Sequence, residues 1–274
     1  MSRTALLCGS AMIASITLGS VAQAPAQDPG IPNFSSAEFG WQPMSGLDFL
    51  PVEGKVAPIG RLGPASPGIE RMGDENNSNL TPWAAARIKA QNDDVKGGQR
   101  AFTAQSRCWP GGGPGQLVFV AEPIYFIQTP DEVRIIWARD HHVRRVRLNR
   151  EHSPNLKPSW AGESVGRYEN GELVIDTIGF LEHRYSVLDN YATPHTKDLH
   201  VVERWKTIDN GNALEVTVMV EDKGAFKEPW WGKVTWRKVN RRMEEWVCAE
   251  NNFGYEQLFK LEEHPMPEAK SPDF

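Results

Sequence analysis

Three histidines fall close together, His183, His195 and His200. The stretch 179–199 joins two predicted strands and is long for a hairpin connection, and long connections are where functional groups concentrate. His200 opens a strand that also carries Glu203 and Arg204. On a strand Arg204 shares a face with His200 while Glu203 points the other way. An imidazole beside a guanidinium can hold a carboxylate or an enolate and move a proton near neutral pH. Asp176 lies within another strand and faces the same way as Val174, so burial would oblige it to find a partner, and Arg167 on the paired strand is a candidate. His195, His200 and Arg204 are thus the acid–base candidates, with Asp176 or Asp140 in support. The plainer reading makes His195 a solvated side chain, and makes Glu203, Arg204 and the Asp176–Arg167 pair structural.

Other chemistries are disfavoured by spacing. Asp140-His141-His142 puts two imidazoles on adjacent residues, which point apart on a strand, so no metal site is expected there. Gly162-Glu163-Ser164-Val165-Gly166 leads into a strand and opens no helix, which disfavours a serine hydrolase elbow. Pro110-Gly111-Gly112-Gly113-Pro114-Gly115 lacks the Lys and Ser/Thr of a phosphate loop. No cofactor is expected. Ten Trp are present. Trp137, Trp230 and Trp236, with Arg167 and Tyr168, are candidates for the wall of an apolar ligand pocket, although Trp at such spacing is more often core.

The elements that must position these residues are strands. Period-two patterns run over 117–120, 124–128, 133–137, 142–148, 164–169, 172–177, 200–208, 214–221, 233–239 and 243–248. Asn170-Gly171 suits a type I′ turn, and Asp209-Asn210-Gly211-Asn212 joins a second hairpin. One helix precedes them: Thr81 caps it, Pro82 fits its first turn, Ala84 and Ile88 share a face, and Gly97-Gly98 breaks it. A short helix is expected over Tyr255–Glu262. Tight turns without βαβ units predict an all-β, mainly antiparallel domain over 80–262, a lipocalin-like or otherwise curved barrel, with a sandwich as the alternative. A Pro-rich extended or partly disordered arm (23–79) precedes the domain, and a loose tail (263–274) follows it.

The address reads as export. Arg3 precedes an uncharged run over residues 5–21, and Ser20-Val21-Ala22 offers a cleavage site, with Ala22-Gln23-Ala24 before Pro25 a poorer one. The run is rich in small residues and short of the ~20 apolar residues of a membrane span. A signal over 1–22 and a periplasmic or secreted chain without a span follow. Removing the signal takes away only Arg3, so 29 basic residues face 35 acidic ones, a net charge of −6. With no basic block, nucleic acid is not an expected partner. Cys8 leaves with the signal, and Cys108 and Cys248 remain for a disulfide, which would favour the fold by up to ~5 kcal/mol, with a pair of buried, unreacted thiols as the alternative.

Several strings carry a resemblance: Gln128-Thr129-Pro130-Asp131, Gly162-Glu163-Ser164-Val165-Gly166-Arg167-Tyr168-Glu169, Leu173-Val174-Ile175-Asp176-Thr177, His200-Val201-Val202-Glu203-Arg204 and Lys227-Glu228-Pro229-Trp230. Asp140-His141 with Val143-Arg144-Arg145, and Cys248-Ala249-Glu250-Asn251-Asn252, extend it. Over roughly 80–252 the chain resembles a largely uncharacterised family of exported bacterial β-rich proteins. The resemblance implies export and the β domain and supplies no reaction. Glu163 stands where the family pattern has His between Gly and Ser. Two functions follow from the residues: binding of a small hydrophobic or aromatic molecule in a β cavity, or a cofactor-independent lyase, isomerase or hydrolase.

Overall fold

A computed structural model describes residues 30–35, 38–44, 48–63, 72–98, 108, 110–119 and 121–244. The signal segment, the tail, the 255–262 helix and most of the 243–248 strand lie outside the described residues. In order come β1 (Gly40–Pro43), β2 (Leu50–Pro51), α1 (Pro82–Lys96), β3 (Ile124–Gln128), β4 (Glu132–Trp137), β5 (Val143–Leu148), β6 (Glu163–Glu169), β7 (Glu172–Ile178), β8 (His200–Ile208), β9 (Ala213–Glu221) and β10 (Trp230–Val239). Neighbouring strands pair in the order β1-β3-β4-β5-β6-β7-β8-β9-β10, and β1 also pairs with β10. That second pairing closes a nine-strand barrel and leaves no sandwich, because closure satisfies both edges of the sheet. β2 lies against the remaining edge of β10 through Gly232 and Lys233.

The strand closing the barrel comes from the Pro-rich arm. Trp41 faces Ile124 on one side and Lys238 on the other. Its indole donates to the Phe34 carbonyl at 2.9 Å, while Gln128 Oε1 accepts from the Phe34 amide at 2.7 Å. Aromatic burial thus draws the arm into the fold. Of the expected strand over 117–120, Leu117 ends a 3-10 turn, Gly115–Leu117, Val118 and Phe119 follow it outside any strand, and Val120 lies outside the described residues. The amides of the turn bond backbone carbonyls within it, and two of its carbonyls accept from side chains: Trp137 Nε1 donates to the Gln116 carbonyl at 3.1 Å and Asn190 Nδ2 to the Val118 carbonyl at 2.8 Å.

α1 begins where its cap places it, with Thr81 Oγ1 accepting from the Ala84 amide at 3.3 Å. Ala84, Ile88, Asn92 and Val95 are its buried residues. Leu80, just before it, bridges to Phe226 in the loop leading to β10.

Register decides which side chains enter the barrel. Val201, Glu203 and Trp205 of β8 face inward with Leu173, Ile175 and Thr177 of β7, and with Leu214, Val216, Val218 and Val220 of β9. Trp205 stacks on Trp236 with ring centres 5.4 Å apart, and Phe126 meets Trp205 edge-on at 5.5 Å. These inward positions are filled, and burying each large apolar side chain contributes about 1.5–3 kcal/mol.

One pairing departs from the antiparallel rule. β5 and β6 run parallel, Val146 beside Ser164 and Leu148 beside Gly166. A parallel pair cannot be joined by a tight turn, so residues 149–162 travel back along the outside of the barrel. Ser159 bridges to Phe180, and Leu156 packs over Gly179, where a β-carbon would meet Leu156 Cδ2 at 2.4 Å. Gly179 also sits at φ +73, so glycine serves this seat twice.

Candidate acid–base site

The outer wall of the barrel carries a row of alternating carboxylates and imidazoles. Inward and outward positions alternate on β7 and β8, so the filling of the interior by Thr177 and Val201 turns Asp176 and His200 outward. The crossover brings a second ring, His152. Asp176 Oδ2 lies 3.1 Å from His200 Nε2 and its Oδ1 lies 2.9 Å from His152 Nε2. One carboxylate therefore holds two imidazoles, each through a separate oxygen. Glu163 and Glu221 flank the row, with Glu163 Oε1 3.4 Å from His152 Nδ1 and Glu221 Oε2 3.8 Å from His200 Nδ1. The second distance is beyond hydrogen-bond reach. His200 thus has one nitrogen tied to a carboxylate and the other presented on a half-buried face.

The electrostatics follow from this arrangement. Burial works to raise the pKa of Asp176, but hydrogen bonds from His200 and His152 and the charge on both rings outweigh it and hold the group below the ordinary carboxylate value. The hydrogen bond to Asp176 raises the pKa of His200; burial opposes the shift, and the charges of Asp176 and Glu221 add to it. Burial also works to raise Glu163, yet the Ser153 amide, the Arg147 charge and His152 leave it lowered. Ser153 donates its amide to Glu163 at 2.6 Å, so Glu163 and His152 together pin the crossover to the wall.

The other nominated acid–base residues do not join this row. Arg204 shares the outward face of β8 with His200 but is taken by Glu172 at 2.9 Å and Glu169 at 3.3 Å. The expected Asp176–Arg167 pair does not form. Register sets Val165 opposite Asp176 and Arg167 opposite Val174, and Arg167 bonds Glu169 at 2.7 Å. His195 is buried rather than solvated. Its Nδ1 lies 2.8 Å from the Thr196 carbonyl and its Nε2 2.7 Å from Ser186 Oγ, so the ring donates to the carbonyl and accepts from the hydroxyl. Burial lowers its pKa and keeps it neutral, which fits a buried, satisfied pair. Residues 139–141 form a 3-10 turn, in which His141 sits at φ 47 and its Nε2 lies 3.1 Å from the Glu244 carbonyl. No group of three or more His, Cys, Asp or Glu among the described residues is arranged to hold a metal.

The five residues nominated for a ligand wall do not line one cavity. Trp230 and Trp236 belong to the packed core, Arg167 is on the outer face, and Tyr168 bonds Gln128 at 2.8 Å. Trp137 borders a crevice of about 10 Å³ shared with Gly112, Pro114, His142, Arg144 and Glu203. That is room for about one water. Beside it lies a buried network that the acid–base nominations omit. Arg144 Nη1 bonds both oxygens of Glu203, at 2.9 and 2.8 Å, Nε bonds Ser164 Oγ at 2.9 Å, and Nη2 bonds Thr177 Oγ1 at 2.7 Å. The alternation contained its signal. Arg144 shares a face with Val146 and Leu148, and Glu203 shares one with Val201 and Trp205, so each is a charge on an apolar stripe. Nothing in the period of the sequence marks His152, which comes from a connection.

The fold and the site together define a closed, mainly antiparallel β-barrel with a carboxylate–imidazole row on its wall. No family model, curated protein or solved structure matches the chain. No helix among the described residues is long and apolar enough to cross a membrane.

Proposed function

We propose that this barrel is a cofactor-independent acid–base enzyme acting on a small molecule, with His200 as the proton-transferring group and Asp176 as the residue that orients it. One observation carries the reading: Asp176 bonds Nε2 of His200 at 3.1 Å, while Nδ1 lies on a half-buried face with Glu221 at 3.8 Å. A carboxylate on one ring nitrogen fixes the tautomer and raises the basicity of the other, which is the arrangement that general acid–base catalysis uses. His152 is the second ring on the same carboxylate and holds it in place. Proton transfer at His200 Nδ1 is compatible with a lyase, an isomerase or a hydrolase.

The test is a panel of esters and carbon acids, with hydrolysis followed by absorbance and C–H exchange in deuterium oxide followed by NMR. Removing a general base costs about 10²–10⁴-fold in rate. His200→Ala is expected to lose activity on that scale with the barrel intact, and Asp176→Asn to show a smaller loss and a displaced pH profile. Full activity in His200→Ala would sink the proposal.

A second reading, binding of a small hydrophobic or aromatic molecule, draws on Trp137 and His142 at the crevice. Such a ligand needs residues 110–119 to move aside, since the crevice holds about one water. Co-purified metabolites or saturable dye binding lost in Trp137→Ala favour it over catalysis. What supports a location outside the cytoplasm is the uncharged run over 5–21 behind Arg3, with small residues at the end of 1–22 for cleavage. The oxidising compartment supports a Cys108–Cys248 bond. Cys248 lies outside the described residues, and non-reducing peptide mapping of the secreted chain checks the linkage.

A further inference from the structure

Two imidazoles draw on a single carboxylate in the wall row. Asp176 gives Oδ1 to His152 Nε2 at 2.9 Å and Oδ2 to His200 Nε2 at 3.1 Å. Among the described residues its ion partners are these two rings alone. An arginine or a lysine keeps its charge near neutral pH, whereas an imidazole gains or loses one there. The outer ends of the row are held differently. His152 Nδ1 lies 3.4 Å from Glu163 Oε1, an oxygen that also faces Arg147 Nη2 at 2.8 Å and accepts the Ser153 amide at 2.6 Å. His200 Nδ1 faces Glu221 Oε2 at 3.8 Å. A neutral ring needs only to donate one N–H to Asp176. A charged ring adds a positive charge that the same carboxylate must balance. One negative charge balances one such ring, and a second charged ring shares the carboxylate and meets the like charge of the first.

We infer that His152 is a positioning residue that regulates His200 through Asp176: the two rings compete for one negative charge, and a proton on His152 makes His200 a weaker base. The inference rests on the acid–base reading and adds the regulation of that same site. His200 acts as a base at full strength only while His152 is neutral, and the row takes up its two protons unequally. Glu163 and Glu221 add negative charge at the outer ends, but Arg147 offsets Glu163 on the His152 side. His152 arrives on the crossover, so the seat of residues 149–162 on the wall sets the working range of His200 as well as holding the chain there.

The experiment follows the ring signals of His200 by NMR across the imidazole range of pH, in the full mature chain, in His152→Gln and in His152→Ala. Glutamine keeps an N–H for Asp176 Oδ1 but has no proton to take up, whereas alanine removes both. The wild-type curve is expected to be broader than that of a single site. His152→Gln is expected to restore single-site width and to raise the proton affinity of His200 about threefold, the scale of two like charges a few ångströms apart in wet surroundings. The acidic limb of the pH–rate profile is expected to move to higher pH by the same factor. A single-site wild-type curve that His152→Gln leaves in place overturns the inference. His152 is then a clasp for the crossover alone, seen as faster proteolysis within 149–162 in His152→Ala while the His200 curve of His152→Gln stays unmoved. The two proposals fail separately. A His200 curve that depends on His152, with full turnover in His200→Ala, keeps the coupling and removes the acid–base reading. Lost turnover in His200→Ala, with a curve that ignores His152, does the reverse.

Discussion

Two ion-paired clusters hang from the same strands and face opposite ways. Arg144 and Glu203 meet inside the barrel with side-chain exposures of 7% and 1%, while Asp176 and His200 meet on its wall at 34% and 32%. Adjacent residues on β7, Thr177 and Asp176, belong one to each. The inner pair has lost its water and has replaced it with Ser164, Thr177 and a bidentate carboxylate. The wall pair keeps much of its water, and the second ring nitrogen of His200 faces Glu221 at 3.8 Å. The difference is that between a charge the fold cannot release and one that it can lend. Buried pairs are costly to break, whereas exposed pairs are worth little to stability and remain open to chemistry.

The largest expected effect comes from breaking the inner pair on one side. Glu203→Ala leaves the Arg144 guanidinium buried without its carboxylate and is expected to cost about 3–5 kcal/mol, read as a lowered midpoint in urea. Replacing both partners together, Arg144→Met with Glu203→Leu, is expected to recover most of that loss. A double variant as unstable as the single one would show that the pair contributes net stability rather than avoiding a penalty.

Next comes the seat of the crossover. Gly179→Ala places a β-carbon into Leu156 at a left-handed backbone position, and a strained position of this kind costs about 1–3 kcal/mol. Proteolysis within 149–162 is expected to quicken more in this variant than in an equally destabilised core variant.

Smaller still is the wall pair. Asp176→Asn is expected to change stability by less than about 1 kcal/mol, given its exposure, while lowering the His200 pKa. The pH dependence has a definite sign. His200 is raised above its ordinary 6.5, so its contribution is complete below that value and fades as pH climbs through the folded-state value. Asp176 is lowered from 3.8, so its contribution is complete above that value and is lost as pH falls. The stability difference between wild type and Asp176→Asn is therefore expected to be greatest between about pH 4 and pH 6.5, and to shrink on both sides. A difference that keeps growing above pH 8 would contradict the pairing. Arg204→Ala, on an exposed pair with Glu172 and Glu169, is expected to move stability by about 0.5 kcal/mol or less.

Much of the barrel was legible in residue types. The period-two runs became β3 to β10 nearly where expected, and Asn170-Gly171 turns at φ 53 and 77. Thr81 and Pro82 start α1, which ends at Gly97. The exceptions share a cause. Residues 117–119 had strand composition but find no strand to pair with among the described residues, and β1 lay in a Pro-rich arm whose pattern gave no sign that Trp41 would close the barrel. Of the site, His200 and Asp176 were named from their types, but Arg204 and His195 went to other partners. His152, Glu163 and Glu221 joined through register and through a connection running outside the sheet.

Local order in the chain determined the strands, the turns, the helix cap and the alternation that puts Glu203 on the opposite side from His200. These depend on steric preferences and on spacing between near neighbours. Only the tertiary structure decided that β1 completes a circle, that β5 and β6 run parallel and send His152 across the wall, and that Asp176 receives two imidazoles in place of Arg167. Those outcomes depend on which distant strands lie side by side and in what register, and a shift of one residue would have turned Asp176 inward and Thr177 out.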